Sequence, residues 1–282
     1  MIASRTVRTM RTAAWCLAAL ALVLPGCHHH RKREVLENEA LYDRAQQLIE
    51  RRKFLKAIEM LGDVGLNSPV SEALDPDVKL ALADAYFFQS GTVNSIEAQS
   101  RYEQFLSFYP LHPKARYARY MIGLCLTEQA EDPEKDQEYS QKALAHFEAM
   151  VGDLPADDPW ARAAKIQLLR AQDRLAEHEW LIAQFYRMKQ RWPGTIGRLS
   201  TLIDRYPGSR RRGEAFLQLA EAYRDVGNAA QARLALDRLQ AEFPGSDLAG
   251  RAEALKKTLP AGGEGVAQPS AAPPAQEPRA HR

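Results

Sequence analysis

Between about Asn38 and Leu259 the large apolar residues recur at three- and four-residue spacing, with polar residues filling the positions between. That period follows one face of an α-helix. No stretch alternates apolar and polar residues as a half-buried strand would. The pattern therefore predicts helices almost throughout, joined by short turns. Five helical runs close on a proline, at Pro69, Pro110, Pro155, Pro207 and Pro244. Proline ends a helix because it has no N–H to donate and its ring clashes with the preceding turn. Twelve positions before these prolines stand Ala57, Ala98, Ala143, Thr195 and Ala232, and eight before stand Leu61, Tyr102, Phe147, Leu199 and Leu236. A small and a large residue four apart share a helix face, so the large side chain fills space the small one leaves.

Twenty-one positions before Pro207 and Pro244 stand Tyr186 and Tyr223, each three residues after a small one, Ala183 or Ala220. These are the offsets of the tetratricopeptide (TPR) repeat, an antiparallel helix pair closed by proline. The closing prolines lie 41, 45, 52 and 37 residues apart, against about 34 in the regular repeat. Connectors take up the excess, the most charged being "TEQAEDPEKDQEYSQK" from Thr127 to Lys142. The fold expected is all-α: a curved solenoid of about five degenerate TPR helix pairs over residues 38–259. Residues 260–282 are rich in Pro, Gly and Ala with almost no large apolar side chain, and are expected to form a disordered tail.

The N-terminus changes the picture. Arg5, Arg8 and Arg11 precede the apolar run "AAWCLAALALVL", residues 13–24, followed by Pro25, Gly26 and Cys27. The run is too short to span a bilayer and has the layout of a secretory signal. Leu24 and Gly26 ahead of Cys27 resemble a bacterial lipobox, which implies a signal peptide over 1–26 and acyl chains such as palmitate on Cys27. Ordinary cleavage without lipid is the other reading. Residues 27–37 are expected to be a lipid-anchored linker. Cys16 would leave with the signal, and Cys125 in an apolar run reads as a small buried hydrophobe.

Charge excludes one class of partner. The chain holds 38 Lys and Arg against 36 Asp and Glu, and setting aside the three arginines of the signal leaves no basic surplus. Nucleic acid is not expected as a partner. Nor is catalysis: GxSxG, HExxH, P-loop and CxxC motifs are all missing. His112, His146 and His178 are dispersed without metal-ligand spacing. The tract His28 to His30 could cluster on a transition metal but reads as incidental beside the anchor. Asp157 and Asp158 suit a helix start ahead of Pro159. The chain reads as a scaffold rather than an enzyme, with no cofactor or metal.

One stretch carries more than repeat structure: "RYEQFLSFYPLHPKARYARYMIGL", residues 101–124. Tyr109-Pro110 closes the second repeat, and Pro113 precedes the next helix, where proline is tolerated. Tyr117 and Tyr120 share a face near Met121 and Leu124. They either pack between repeats or present hydroxyl edges to a groove. This stretch, together with residues 168–209, resembles the BamD family, TPR lipoproteins of the β-barrel assembly (BAM) complex. The shared pattern is R-Y-x-x-F, then Y-P-x-H-P, then Y-x-x-Y-M-x-G-L. The likeness runs from about Leu41 to Pro244. It implies an outer-membrane protein assembly factor, lipid-anchored at Cys27 on the periplasmic side of the Gram-negative outer membrane. It further implies a groove at Tyr102, Tyr109, His112, Tyr117 and Tyr120 for C-terminal segments of unfolded β-barrel precursors. Arg198, Lys189 and Tyr186 would meet a periplasmic POTRA domain of the BamA barrel protein, with other BAM lipoproteins nearby. The chain departs from the family at the end of repeat one, "VGLNSPVSEALDPDV", and at Gly197-Arg198. A pilotin-like or division-associated TPR lipoprotein is the alternative, and the 101–124 stretch argues against it.

Overall fold

The computed structural model describes residues 26–64 and 70–260, with side chains from Glu37 onward. The expected signal, the closing Pro69 and the tail beyond Pro260 lie outside the described residues. Eleven helices and no strand occur among those residues. The chain divides into two compact units between Gln129 and Ala130.

The first unit holds α1 (Gly26–Glu50), α2 (Phe54–Asp63), α3 (Asp75–Gln89), α4 (Thr92–Phe108) and α5 (Ala115–Gln129). Residues 27–37, read as a linker from composition, are helical and run unbroken into the packed part of α1. Each helix packs on its neighbour in sequence, and the short turns at 51–53 and 90–91 make the pairs they join antiparallel. Ala45 of α1, Ala57 and Leu61 of α2, and Val78, Ala81 and Ala85 of α3 make one core cluster.

The second unit holds α6 (Glu138–Asp153), α7 (Pro159–Met188), α8 (Trp192–Arg205), α9 (Arg212–Asp225), α10 (Ala229–Glu242) and α11 (Asp247–Thr258). Its core gathers Leu175, Ala176 and Ala183 of α7, Leu199 and Leu202 of α8, Phe216 and Ala220 of α9, and Leu236 and Leu239 of α10. The last helix, α11, packs on α9 and α10 and buries Ala252. It is the capping helix that a terminal repeat needs to cover its apolar face. Arg233 fixes its end by donating from Nη2 to the carbonyls of Leu259 and Pro260, 2.9 Å each.

All ten small and large positions of the proline register are buried. Thr195, the one polar member, is satisfied by donating to the Arg191 carbonyl at 3.3 Å. Helix starts follow local chemistry. Asp158 accepts from the Trp160 amide at 2.7 Å with Pro159 at the first helical position, which leaves no N–H unpaired there. Asn228 and Ser246 cap α10 and α11. Four turns inside pairs pass through the left-handed region, at Arg52, Ser90, Gln190 and Gly227. Three of them close with the same wide backbone bond, Leu48 to Lys53, Tyr186 to Arg191 and Tyr223 to Asn228. This is the Schellman geometry that satisfies the last carbonyls of a helix.

The division of the chain falls inside the charged insertion of repeat three, leaving α5 in one unit and α6 in the other. Residues 130–137 are bound to the second unit. Arg174 of α7 donates to the carbonyls of Ala130 and Glu131, at 3.0 Å each. His178 Nδ1 lies 2.6 Å from the Pro133 carbonyl, which can only accept. Gln137 ties the loop to itself through the carbonyls of Asp132 and Lys135.

Candidate functional site

The residues expected to line a groove in the first unit fall into two clusters. In one, Asp84 of α3 accepts from the hydroxyls of Tyr102 on α4 and Tyr117 on α5, at 2.5 and 2.6 Å on the same Oδ1. The two rings meet edge to face, 6.3 Å between centroids. Burial raises the Asp84 carboxyl above its ordinary range, and the two hydroxyls pull the other way without cancelling it. Both phenols are raised in turn, first by burial and then by the carboxylate beside them. Tyr102 is 0% exposed. The expectation that it lines a groove is corrected: it fills the large position of its repeat, where no ligand reaches. Its role is to hold Asp84, and through Asp84 the half-buried Tyr117. Tyr120 lies three residues further along α5 and is half-buried.

The second cluster is the loop after α4. Tyr109 donates to Asp75 in the first turn of α3, and Asp75 also accepts from Lys79 at 2.7 Å. Burial works against ionising Asp75, but those two donors together hold its pKa below the usual value. The Tyr109 phenol is pushed up to about 12, chiefly by the bond to Asp75. Phe105 stands edge-on to His112 at 5.4 Å and tilted to Tyr109 at 5.5 Å. The His112 Nδ1 accepts from the Lys114 amide at 3.1 Å, and Lys114 pairs with Asp77 at 2.8 Å. The loop thus clamps onto α3 through Tyr109 and Lys114 while Phe108 and Leu111 project outward, Leu111 at 96% exposure.

Sequence reasoning missed Asp84, Asp75, Phe108 and Leu111. Asp84 had a signal: it stands within "LALADAYFF", an apolar run where a carboxylate must find partners.

The residues expected to meet a partner lie in the second unit. Arg198 of α8 donates through Nη1 to Glu179 of α7, 3.1 Å to Oε2 and 3.4 Å to Oε1. The side chains are 31% and 11% exposed. The sequence placed Arg198 near the edge of the packed face, and it is there, but bound to a buried carboxylate of its own chain. Lys189 ends α7 and is exposed. Tyr186 is half-buried with its ring against Gly194, where a Cβ would come within 2.8 Å. Tyr186 is thus a packing residue at the turn into α8.

Among the described residues no His, Cys, Asp or Glu cluster could hold a metal, and no helix is long and apolar enough to cross a membrane. The fold and these sites define a class: an all-α helical-repeat protein with aromatic and ion-paired surfaces. The model of the YfiO family, described as outer membrane lipoprotein, matches residues 35–250, and the chain belongs to that family. An outer membrane protein assembly factor BamD from Caulobacter vibrioides is 28% identical over 231 residues, covering 80% of this chain and 74% of the relative. A BamD from Rickettsia prowazekii is 25% identical, covering 82% and 90%. Among solved structures, the TPR2AB domain of yeast Sti1 in its pHSP90 complex overlaps 78% of this chain and 97% of its own. The identity there is 16% and the TM-score 0.35, too low to argue from.

Proposed function

We propose that this protein is an outer-membrane protein assembly factor of the BamD type, held at the membrane by lipid on Cys27 and facing the periplasm. The family match carries the reading, because it runs through both units from residue 35 to 250. In this reading the first unit receives extended segments of β-barrel precursors that end in an aromatic residue. The exposed Phe108 and Leu111 offer apolar area, and the Tyr117 edge offers an aromatic contact adding about 0.5–1.5 kcal/mol beyond area. Asp75, Asp77 and Asp84 keep Tyr109, Lys114 and Tyr117 in place, so little side-chain entropy remains to be lost on binding.

The second unit holds a periplasmic POTRA domain of a BamA-like barrel protein through Arg198. The guanidinium already meets Glu179 through Nη1, and a second carboxylate can take its remaining N–H groups in the planar geometry that lysine lacks.

A photo-crosslinker at residue 111 or 117 tests the first surface, and capture of a barrel precursor is the expected result. Arg198 needs a paired test, because its loss also strands Glu179. Arg198→Ala should lose the barrel component in a pull-down, whereas Glu179→Gln should keep it. Equal loss in both variants would reduce the pair to a structural ion pair.

A further inference from the structure

The charged cleft between α7 and the start of α9 has no part in the reading above. Its volume is about 580 Å³, and Arg170, Asp173, Arg174, Glu177, Arg210, Arg211 and Glu214 line it. Four arginines face three carboxylates there. The carboxylates are already matched. Asp173 accepts from both the amide and Nε of Arg210 at 2.7 Å. Glu177 takes two bonds from Arg211, at 2.8 and 3.1 Å, and Glu214 a third at 2.9 Å. The other two guanidinium groups bond only neutral acceptors among the described residues. Arg174 holds the carbonyls of Ala130 and Glu131, and Arg170 meets the Gln167 amide oxygen at 3.4 Å, too long to count for much.

The cleft continues onto an exposed helix face. Arg162, Lys165, Ile166, Leu169 and Arg170 are all exposed. Their spacing puts them on one side of α7. That side presents two large apolar side chains among three cations. Acids on this stretch are confined to the N-terminal cap, Asp157 and Asp158. The cleft is not on the side of α7 from which Glu179 meets Arg198 of α8. Glu177 and Glu179 are two residues apart and therefore about 200° apart around the helix.

We infer that this cleft and the adjoining face of α7 dock an acidic segment of a partner protein, its carboxylates on Arg170 and Arg174 and its apolar residues on Ile166 and Leu169. Carboxylate is the chemistry for which the cleft is built, since each acid it already contains is bound by an arginine, Glu177 by a two-pronged fork. A recessed site suits a protein segment better than the flat surface of anionic lipid. Excess positive charge at the mouth steers an acidic chain toward it and makes binding weaken with salt.

The test uses the full-length protein in phosphatidylcholine nanodiscs, with fluorescence anisotropy of a labelled peptide of repeating Glu-Leu-Ser and of its Lys-Leu-Ser counterpart. The Glu peptide should bind and the Lys peptide should not. Arg170→Glu should weaken the Glu peptide at least about tenfold, the loss of roughly one charge-assisted contact. Arg170→Gln should weaken it less. Arg170 is exposed, so both variants should stay folded by circular dichroism. Lys56→Glu, the same charge change on exposed α2, should leave binding unaltered. Equal affinity in Arg170→Glu, or an equal loss in Lys56→Glu, would overturn the assignment. So would abolition of peptide binding when phosphatidylglycerol replaces phosphatidylcholine, because the face would then belong to lipid.

Discussion

The two units solve the same problem with different donors. In the first, the most buried carboxylate, Asp84, is held by the phenols of Tyr102 and Tyr117, and Asp75 by Tyr109 with Lys79. In the second, Glu179, Glu177 and Glu221 are held by the guanidinium groups of Arg198, Arg211 and Arg187, as is the exposed Glu242 by Arg212. A phenol brings its own apolar ring into the core without cancelling the carboxylate charge, and at Asp84 burial raises the pKa by more than the two hydroxyls lower it. An arginine cancels the charge, and Glu242 is accordingly lowered, chiefly by its bond to Arg212. The first unit therefore depends on buried hydrogen bonds, and the second on ion pairs that solvent and salt weaken.

The largest test of that contrast is Asp84→Ala. It strands two hydroxyls, one of them wholly buried, and should cost on the order of 2–5 kcal/mol in denaturant unfolding. Arg210→Ala in the second unit removes the Asp173 pair, but the arginine side chain is 88% exposed, so the cost should be about 0–1 kcal/mol. Similar costs for the two would erase the distinction.

Next comes overpacking, where the units should agree. Ala98→Leu and Ala232→Leu insert methylenes at the same repeat position, each 0% exposed, and should each cost about 1–3 kcal/mol. A neutral result at either would remove that repeat from the register.

Alkaline pH should separate the units again. Tyr109 is raised from 10.0 to about 12. Cys125, desolvated in the same unit, is raised from 9.0 to about 12. In both cases the folded state keeps a proton that the unfolded chain gives up. Stability is therefore complete below pH 9 and falls as pH rises from 9 toward 12. Tyr102 and Tyr117 act in the same sense. Circular dichroism should report the loss of the first unit over that range, and a fold that persists unchanged through pH 12 would contradict the phenol network. Acid acts oppositely on the two carboxylates. Asp84, raised, gains relative stability as pH falls from its folded pKa toward the ordinary 3.8, whereas Glu242, lowered, loses its contribution as pH falls below 4.5 toward its own folded pKa.

The smallest effect concerns turns. Gln190 and Gly227 occupy the same left-handed position, φ 52° and 77°. Glycine carries no Cβ to clash there, so Gln190→Gly should stabilise by up to about 1 kcal/mol and Gly227→Ala should destabilise by about as much. Opposite signs would show that the two turns differ.

The helix-pair register was legible because its information is local: a small and a large residue four apart sit on one face wherever they occur. Tyr102 shows how a local reading misleads when two are laid over each other. The register made it a core residue while the family likeness made it a groove residue, and packing decides for the core. Asp84 stood out as a carboxylate in an apolar run, but its partners were not legible, because they are 18 and 33 residues away. Glu179 escaped for the same reason, 19 residues from Arg198. The division at Ala130 depends on Arg174 and His178 catching backbone carbonyls more than 40 residues away, and backbone carbonyls leave no trace in sequence.

The central claim, a membrane-bound assembly scaffold that joins a barrel protein to its substrates, has a direct measurement. The full-length protein is affinity-purified from detergent-solubilised outer membranes, and the co-purifying chains are identified by mass spectrometry. The account predicts a barrel protein with periplasmic domains at stoichiometric yield, with precursor barrels in lesser amount. Recovery of the protein alone, or with a secretion or division apparatus in place of the barrel protein, would contradict it.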